Sequence, residues 1–436
     1  MNKHVIFWSI TVGLGGMLFG LDVAVISGAE LAIQKLWHLD SWTHGLAVAT
    51  ALYGTVVGAA LGGFPADKYG RKITLFWIGV SFFVSSIGAA LAPDVNYFMI
   101  FRFLGGLGIG ASSVVAPIYI SEIAPAKHRG KLVISFQLNV VLGILIAYVS
   151  NYLLQGGEND WRLMLGVVGI PSLIFSFLIL FTPETPQFLL LKRNNPLAAL
   201  EVLKLADPEP ENTLNRILQN AETSTHKSDK LFSKKFFLPL LLAFLFSFFN
   251  QMSGINAIIY YAPRIYELTG LGKEGALLST AGIGVANLLF TLLGWFLIDK
   301  VGRRKLMYIG SFGYILSLSL IAYSFYTESF NFVPIYIFVF IASHAVGQGS
   351  VIWVFISEIF PNSVRASGMA FGSLVHWVLA ALVANFFPIF TDQFGGTVIF
   401  SFFGFMMVGQ LLYVMFLMPE TKGSSLEDIE KQIMVH

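Results

Sequence analysis

Long apolar runs alternate with short polar segments along almost the whole sequence. An α-helix needs about 20 mainly apolar residues to cross the roughly 30 Å hydrocarbon core of a bilayer. Windows of that length predict twelve membrane-spanning helices, in an all-α protein. Their approximate bounds are 5–29, 44–66, 73–92, 96–122, 132–154, 162–181, 236–264, 275–298, 304–325, 333–360, 366–391 and 397–418.

The composition identifies the chain as an integral membrane protein. Of its 436 residues, 56% are apolar and only 12% are charged, about half the roughly 25% of a soluble globular protein. The 27 basic and 25 acidic residues nearly balance, which excludes a nucleic-acid-binding protein with a clustered basic face. The chain has no cysteine, so disulfides, thiolate catalysis and Cys-ligated zinc are also excluded.

Lysine and arginine residues predict the orientation in the membrane. If the N-terminus lies inside the cell, the inner segments hold 22 of the 27 basic residues and the outer loops hold four. Both termini are therefore expected to be cytoplasmic. The four outer residues are Lys35, Arg162, Arg264 and Lys273.

A polar segment from Lys192 to Lys235 interrupts the apolar pattern and carries 14 of the 52 charges. Stretches such as Leu197–Ala206 are typical of short amphipathic helices on the cytoplasmic face. This segment predicts a boundary between two halves. The expected divisions are a six-helix bundle at 1–191, a linker at 192–235, a second six-helix bundle at 236–420 and a tail at 421–436.

Three charged motifs occur once in each half, in the same order. They are GGFPADKYGRK (Gly62–Lys72) and GWFLIDKVGRRK (Gly294–Lys305), YISEIAPAKHRG (Tyr119–Gly130) and FISEIFPNSVRA (Phe355–Ala366), and PET at Pro183–Thr185 and Pro419–Thr421. The spacing between copies is 232 residues for the first motif and 236 for the other two. A repeat of this kind indicates duplication, and internal repeats of membrane helices are typical of alternating-access transporters.

The charged residues of these motifs lie at the predicted cytoplasmic edge of the membrane. They act either as positive-inside anchors or as ion pairs that latch the two halves together when the cavity faces outward. The matched Asp and Glu residues favour the second interpretation, because anchoring explains only the arginines. The predicted cytoplasmic gate contains Asp67, Arg71, Glu122, Arg129, Glu184, Asp299, Arg303, Glu358, Arg365 and Glu420.

Two ionisable residues, Asp22 and Arg102, are expected deep in the hydrocarbon region, where charges are costly and usually functional. The predicted spans place both on the order of 10 Å below the outer surface, so we expect them to pair. The pair is either a static ion pair or a proton-coupling device. At the 236-residue offset the counterpart of Arg102 is Phe338, so the pair was not duplicated.

Span seven contains a group of amides and a tyrosine: Asn250, Gln251, Asn256 and Tyr260. On one continuous helix the last three would lie within about a third of the circumference. Amides in a membrane are costly unless they face a cavity or a partner helix. The group therefore predicts a polar binding site, with contacts between helices as the alternative for each residue.

The sequence resembles the sugar porter family of the major facilitator superfamily along essentially the whole chain. The resemblance rests on GGMLFGLDVAVISGA (Gly15–Ala29), the duplicated charged motifs, PETPQFLL (Pro183–Leu190) and QMSGINAIIYYAP (Gln251–Pro263). It implies two six-helix bundles around a central sugar site. It also implies proton coupling, because proton-coupled members have Asp where this chain has Asp22 and uniporters have Asn.

The resemblance implies further sugar-binding residues on other spans. Phe19 is similar to an aromatic residue of span one, Gln137 to an amide of span five and Asn287 to an amide of span eight. On spans ten and eleven, Gly349, Trp353 and Trp377 resemble a small residue and two indoles of the family site.

Four positions depart from the family pattern. Asn250 and His376 each stand where the family usually has Gln, and Gln187 stands where it has Arg. Three roles are open for His376: it binds a sugar hydroxyl, it adds a second titrating group, or it only fills space. Ser350 replaces a proline of span ten, so we expect that helix to break less sharply.

These observations predict a proton-coupled importer of a monosaccharide, either a hexose or a pentose, in the plasma membrane. The alternatives are a uniporter of a sugar or polyol with a structural Asp22–Arg102 pair and, more remotely, a sugar sensor, for which the predicted tail is short. No nucleotide-binding loop, nucleophile–base arrangement or metal-ligand spacing is present in the sequence. We therefore expect no enzymatic activity, cofactor or obligate protein partner, and a functional monomer.

Overall fold

The computed structural model describes residues 2–125, 129–224, 230–361, 363–423 and 429. Within these ranges the chain forms helices and no β-strand, which confirms the all-α prediction. The helices are α1 (Lys3–Leu36), α2 (Ser41–Leu61), α3 (Gly63–Tyr69), α4 (Arg71–Ala90), α5 (Val95–Ile123), α6 (Arg129–Leu154), α7 (Asp160–Gly166), α8 (Gly169–Ile179), α9 (Pro186–Leu191), α10 (Pro196–Ala206), α11 (Pro210–Ser224), α12 (Phe237–Met252), α13 (Ile255–Leu268), α14 (Lys273–Val301), α15 (Arg303–Tyr326), α16 (Val333–Val346), α17 (Gln348–Ile359) and α18 (Arg365–Phe416).

Eleven segments of the described chain are long and apolar enough to cross a membrane, against twelve predicted spans. The difference lies in α18, whose 52 residues would measure about 78 Å, more than twice the hydrocarbon thickness. At Gly395 the backbone leaves the helical region, with φ +74° and ψ 167°, a conformation restricted to glycine. α18 therefore consists of two arms, which correspond to the predicted spans 366–391 and 397–418.

Two predicted spans are broken in the middle. Span seven divides into α12 and α13 at Gly254, which has φ +82°. A Cβ atom there would lie 2.5 Å from the ring of Phe403, so this position requires glycine for both its backbone conformation and its space. Span ten divides into α16 and α17 at Gly347, with φ −84° and ψ −100°.

The small residues of the GGLGIG run at 105–110 bring α5 close to α2. A Cβ atom on Gly106 would lie 2.0 Å from the carbonyl oxygen of Ala51, and one on Gly110 would lie 2.2 Å from that of Thr55. No side chain fits at these contacts. The glycines therefore serve close packing between helices, which is common in membrane proteins.

The first of two compact units comprises Met1–Val25, Thr50–Ala147 and Gly157–Ser228. In its core α4 packs against both α5 and α8. Phe82, Phe98 and Phe175 are fully buried there. The segment between the predicted halves contains α10 and α11, and α10 covers the stretch expected to form a short amphipathic helix.

The second unit comprises Ile26–Ala49, Tyr148–Gly156 and Asp229–His436. It therefore includes the end of α1, the beginning of α2 and the end of α6. α18 packs along α12 and α15, and the rings of Phe246 and Phe355 lie 5.4 Å apart in the core. The hydroxyl of Tyr148 in α6 donates a hydrogen bond of 2.9 Å to the carbonyl of Ile259 in α13.

Candidate functional site

Asp22 in α1 and Arg102 in α5 form a buried ion pair in the first unit. The Arg102 Nη1 atom donates to Asp22 Oδ1 at 3.0 Å, and Nη2 donates to the Asp22 carbonyl oxygen at 3.1 Å. Both side chains are about 1% exposed. The second carboxylate oxygen, Oδ2, accepts no hydrogen bond from any described residue. The pair therefore holds one carboxylate oxygen and leaves the other available to a proton.

Three amides of span seven form a hydrogen-bonded cluster in the second unit. Gln251 Nε2 donates to Asn250 Oδ1 at 2.9 Å, and Asn256 Nδ2 donates to Gln251 Oε1 at 2.7 Å. All three side chains are buried. The argument from continuous helical spacing was wrong for two reasons. Five residues on one helix would place Gln251 and Asn256 about 140° apart, and the break at Gly254 separates them. The break itself turns the two amides toward each other.

Aromatic residues of spans ten and eleven extend this amide cluster. Gln251 Nε2 lies 3.2 Å from Nδ1 of His376. The His376 ring is 5.2 Å from the Trp353 ring and 4.9 Å from the Trp377 ring, the latter in an edge-on arrangement. Amide donors and acceptors thus adjoin two indoles, the combination that recognises the hydroxyls and C–H faces of a sugar.

The other predicted sugar-binding residues occupy both units. Tyr260 in α13 is fully buried, and Asn287 in α14 accepts a hydrogen bond of 3.5 Å from Thr291 in the next turn. Gly349 is partly exposed at the start of α17. In the first unit, Phe19 is buried and Gln137 is partly buried.

Span ten breaks at Gly347, with Ser350 in place of the family proline. A less sharp break than in the family stays a prediction. The hydroxyl of Ser350 donates at 2.6 Å to the carbonyl of Ala345, which lies on the other side of the break. The serine thus satisfies a carbonyl group near the break.

The predicted gate residues of the first half form one network around Arg71. Its Nη2 atom lies 3.1 Å from Glu122 Oε1 and 3.2 Å from Asp67 Oδ1. Glu184 accepts the backbone N–H groups of Arg71 at 3.1 Å and Lys72 at 3.2 Å, at the beginning of α4. Burial raises the pKa of Glu184 above its ordinary value, and the backbone hydrogen bonds oppose this rise.

The second half repeats this network around Arg303. Its Nη2 atom lies 2.8 Å from Glu358 Oε1, and its Nη1 atom lies 3.0 Å from Asp299 Oδ1. Glu420 accepts the backbone N–H groups of Arg303 at 3.0 Å and Arg304 at 3.1 Å. Each network thus forms inside its own half, a geometric counterpart of the sequence repeat.

Two predicted gate arginines are not placed in these networks. The Arg129 side chain lies outside the described residues. Arg365 donates from Nε to the carbonyl of Phe360 at 3.2 Å, and its Nη2 has no partner among the described residues. Two threonines were missed: Thr185 and Thr421 donate to Glu122 and Glu358 at 2.5 and 2.6 Å. Their equivalent places in the two PET motifs were the available signal.

Comparisons with known proteins agree with this architecture. Residues 8–433 match the family described as "Sugar (and other) transporter". The chain belongs to the sugar transporter family. It is 36% identical to the arabinose-proton symporter of Bacillus subtilis over 98% of this chain and 94% of that protein. It is also 36% identical to the glucose transporter GlcP of Staphylococcus epidermidis, over 99% of this chain and 97% of that protein.

A solved structure of a member of the sugar transporter family has the same fold. The inward open conformation of the xylose transporter XylE from Escherichia coli matches with a TM-score of 0.87 at 30% sequence identity. The match covers 98% of this chain and 100% of that chain. The chain is accordingly a multi-pass membrane transporter of the sugar transporter family and not an enzyme.

A second cluster of buried ionisable residues, which the sequence analysis did not single out, lies in the second unit of this member of the sugar transporter family. Glu30 and His44 are fully buried in the second unit, 2.8 Å apart, and Arg264 binds Glu30. The predicted end of span one at residue 29 hid Glu30, because α1 continues to Leu36. Arg264 was assigned to an outer loop but lies inside α13.

Proposed function

We propose that this chain imports a monosaccharide together with a proton by alternating access. The observation that carries the proposal is the buried Asp22–Arg102 pair with its uncoordinated carboxylate oxygen. A charge at this depth is costly and usually functional. A relative that is 36% identical to this chain is named as a symporter of arabinose and a proton.

The geometry supports a specific role for Asp22. A proton that binds Oδ2 does not first have to displace Arg102, because the guanidinium holds Oδ1 and the backbone carbonyl. Protonation removes the negative charge and with it most of the attraction between the two groups. Arg102 is then held by weaker hydrogen bonds, which lowers the free energy needed to rearrange α1 against α5.

The second unit supplies the main sugar-binding residues in this proposal. Gln251 forms hydrogen bonds with both Asn256 and His376, and a sugar hydroxyl offers the same donors and acceptors. Trp353 and Trp377 present aromatic faces beside them. Asn250, Tyr260, Asn287, Gly349, Phe19 and Gln137 complete the proposed set. A pentose or hexose, the ligand class named for the relatives, matches this chemistry.

The membrane arrangement and the gate belong to the same proposal. The 22-to-4 distribution of basic residues supports cytoplasmic termini, and the proposal places the transporter in the plasma membrane. The duplicated networks around Arg71 and Arg303 would act as the cytoplasmic gate. The proposal also includes two six-helix bundles at 1–191 and 236–420, a linker at 192–235, a tail at 421–436, and function as a monomer.

Proton-coupled uptake in proteoliposomes tests the proposal. Purified protein is assayed for proton movement on addition of D-glucose, D-galactose, D-xylose, L-arabinose, fructose or myo-inositol. We expect one sugar to drive proton uptake, and Asp22→Asn to abolish proton movement while it preserves sugar exchange. Asp94→Asn is the matched control, because Asp94 caps α5 from a partly exposed position and asparagine caps a helix equally well.

Sugar flux without proton flux in the unmodified protein would show a uniporter with a structural Asp22–Arg102 pair. Sugar-stimulated proton flux that survives Asp22→Asn would remove Asp22 from the coupling role. No flux of any tested sugar or polyol would contradict the proposed substrate class.

A further inference from the structure

A chain of buried polar side chains runs through the second unit beside the break in span ten. Gln348 Nε2 donates to Gln410 Oε1, and Gln410 Nε2 donates to Ser311 Oγ at 2.8 Å. Ser311 Oγ donates to the carbonyl of Met307 at 2.7 Å. Gln348, Gln410 and Ser311 are 0% exposed. Buried networks of this kind are costly unless every member is satisfied, and satisfied ones fix a single arrangement.

The chain continues through Tyr314 to His344. The Tyr314 hydroxyl lies 3.3 Å from Gln348 Oε1 and 2.5 Å from His344 Nδ1. The amide oxygen of Gln348 can only accept, so the tyrosine O–H donates to it. With the Gln348 and Gln410 amides in this orientation, His344 donates from Nδ1 to the tyrosine oxygen. The opposite direction would leave the buried Gln348 Oε1 without a donor, a cost of about 1–3 kcal/mol.

This network assigns the tautomer of His344. With the proton on Nδ1, the neutral imidazole has an unprotonated Nε2 that can only accept. No described residue donates to that atom. The imidazole therefore offers one hydrogen-bond acceptor that none of the described residues satisfies.

The network also fixes the bend of span ten. Tyr314 bridges His344, in the last turn of α16, to Gln348, the first residue of α17. α15 approaches the break closely, since a Cβ atom on Gly347 would lie 3.0 Å from the Cα atom of Gly310. α15 and α18 therefore hold the two segments of span ten at a set angle.

His344 lies beside the predicted sugar-binding residues. A Cβ atom built on Gly349 would be 3.3 Å from His344 Nε2. His344 is also close enough to His376 for their charges to interact. His376 in turn contacts Gln251 at the centre of the amide cluster.

We propose that His344 Nε2 accepts a hydrogen bond from one sugar hydroxyl, and that the chain through Tyr314, Gln348 and Gln410 positions it for this role. The inference rests on the proposed sugar-binding function and adds a specificity-determining residue to that site. It does not depend on proton coupling.

Equilibrium binding of sugars to the purified full-length protein tests the inference. D-glucose, D-galactose, D-xylose and L-arabinose are compared by calorimetry, and the tightest is then compared with each of its monodeoxy derivatives. The variants are His344→Phe, His344→Gln and Tyr314→Phe. Tyr323→Phe is the matched control, since Tyr323 lies on the same helix and is 63% exposed.

We expect the unmodified protein to bind one monodeoxy derivative about 3- to 10-fold more weakly than the parent sugar, the range of one hydrogen bond. His344→Phe should abolish discrimination at that hydroxyl alone. His344→Gln should restore part of it, because its amide oxygen can accept. Tyr314→Phe should reduce it, because the histidine loses its positioning contact, and Tyr323→Phe should change nothing.

Two results would overturn the inference. In one, His344→Phe and Tyr314→Phe keep the full discrimination at every hydroxyl. In the other, both variants weaken the binding of the parent sugar and of all its derivatives equally, as a purely structural change would. Tyr314→Phe removes one hydroxyl and keeps the ring, so this variant still tests the inference if His344→Phe does not fold. Failure of the unmodified protein to bind these four sugars, and also fructose and myo-inositol, would overturn the proposed function and this inference together.

Discussion

Arg264 binds Glu30 through two nitrogen atoms, with Nε 3.2 Å from Oε1 and Nη2 3.0 Å from Oε2. Glu30 lies near the end of α1 and Arg264 lies in α13, so the pair joins helices from opposite halves of the sequence within the second unit. His44 in α2 shares the same carboxylate, and Gln34 accepts from Arg264. The pair ties the ends of two first-half helices to a helix of the second half.

Removal of one partner of this pair should destabilise the protein strongly. Glu30→Gln leaves Arg264 buried without its carboxylate, and breaking a buried ion pair costs about 3–5 kcal/mol. Thermal unfolding in detergent should show a clearly lower midpoint. The double variant Glu30→Leu/Arg264→Leu should recover much of this loss, because no uncompensated charge remains. Equal midpoints for Glu30→Gln and the unmodified protein would contradict a stabilising role.

Asp22 and Arg102 should show strong coupling in a double-mutant cycle. Arg102→Met leaves a buried carboxylate without its cation, so Asp22 should become neutral and sugar uptake should lose its dependence on pH. Asp22→Asn should remove the same dependence, and the double variant should resemble either single variant in transport. The measurement is uptake rate against pH for all four proteins. Additive effects of the two substitutions would contradict a shared function.

Gly254 should tolerate no side chain. Gly254→Ala imposes both a positive φ on alanine and a Cβ contact of 2.5 Å with Phe403. We expect lower thermal stability and weaker sugar binding, because the break at this residue orients Gln251 toward Asn256. Gly275→Ala is the matched control, since it lies within α14 with no contact closer than 3.6 Å. It should have a neutral or slightly stabilising effect.

Glu184 should make stability depend on pH in a defined direction. Its pKa is raised above the unfolded value by burial, so the folded state binds the proton more tightly. The stabilisation that Glu184 contributes is fully present at a pH below its pKa in the unfolded state. It is lost as the pH rises through its pKa in the folded state. The stability of the unmodified protein relative to Glu184→Gln should therefore increase when pH falls from 7 toward 4.5. Glu201→Gln, an exposed change on α10, should show no such trend.

The sequence was sufficient to predict the helices and the repeated charged motifs. The apolar runs had to satisfy backbone hydrogen bonds inside a membrane, which leaves helices as the solution. The two networks around Arg71 and Arg303 could be predicted because the three charged motifs occur in the same order, at nearly the same spacing, in both halves. The pairing of Asp22 with Arg102 could be predicted because each is an unusual charge within a span, at a similar predicted depth.

Other features depended on tertiary structure that a pattern of polar residues does not contain. The break at Gly254 follows from the approach of Phe403, a residue far along the chain. Glu30 was hidden because α1 extends past the apolar window, and its partner Arg264 is close only after folding. His344 was overlooked because a lone histidine in an apolar helix carries no signal until Tyr314 and Gln348 are placed around it.

The Asp22–Arg102 pair belongs to the first unit, whereas the amides and indoles of spans seven, ten and eleven belong to the second. In a symporter built this way, communication between the two ligands is a thermodynamic linkage. Linkage is reciprocal, so whatever factor a bound proton adds to sugar affinity, bound sugar must add to proton affinity. The free energy of coupling can therefore be measured in two ways: by titrating protons at a fixed sugar concentration, or by titrating sugar at a fixed pH.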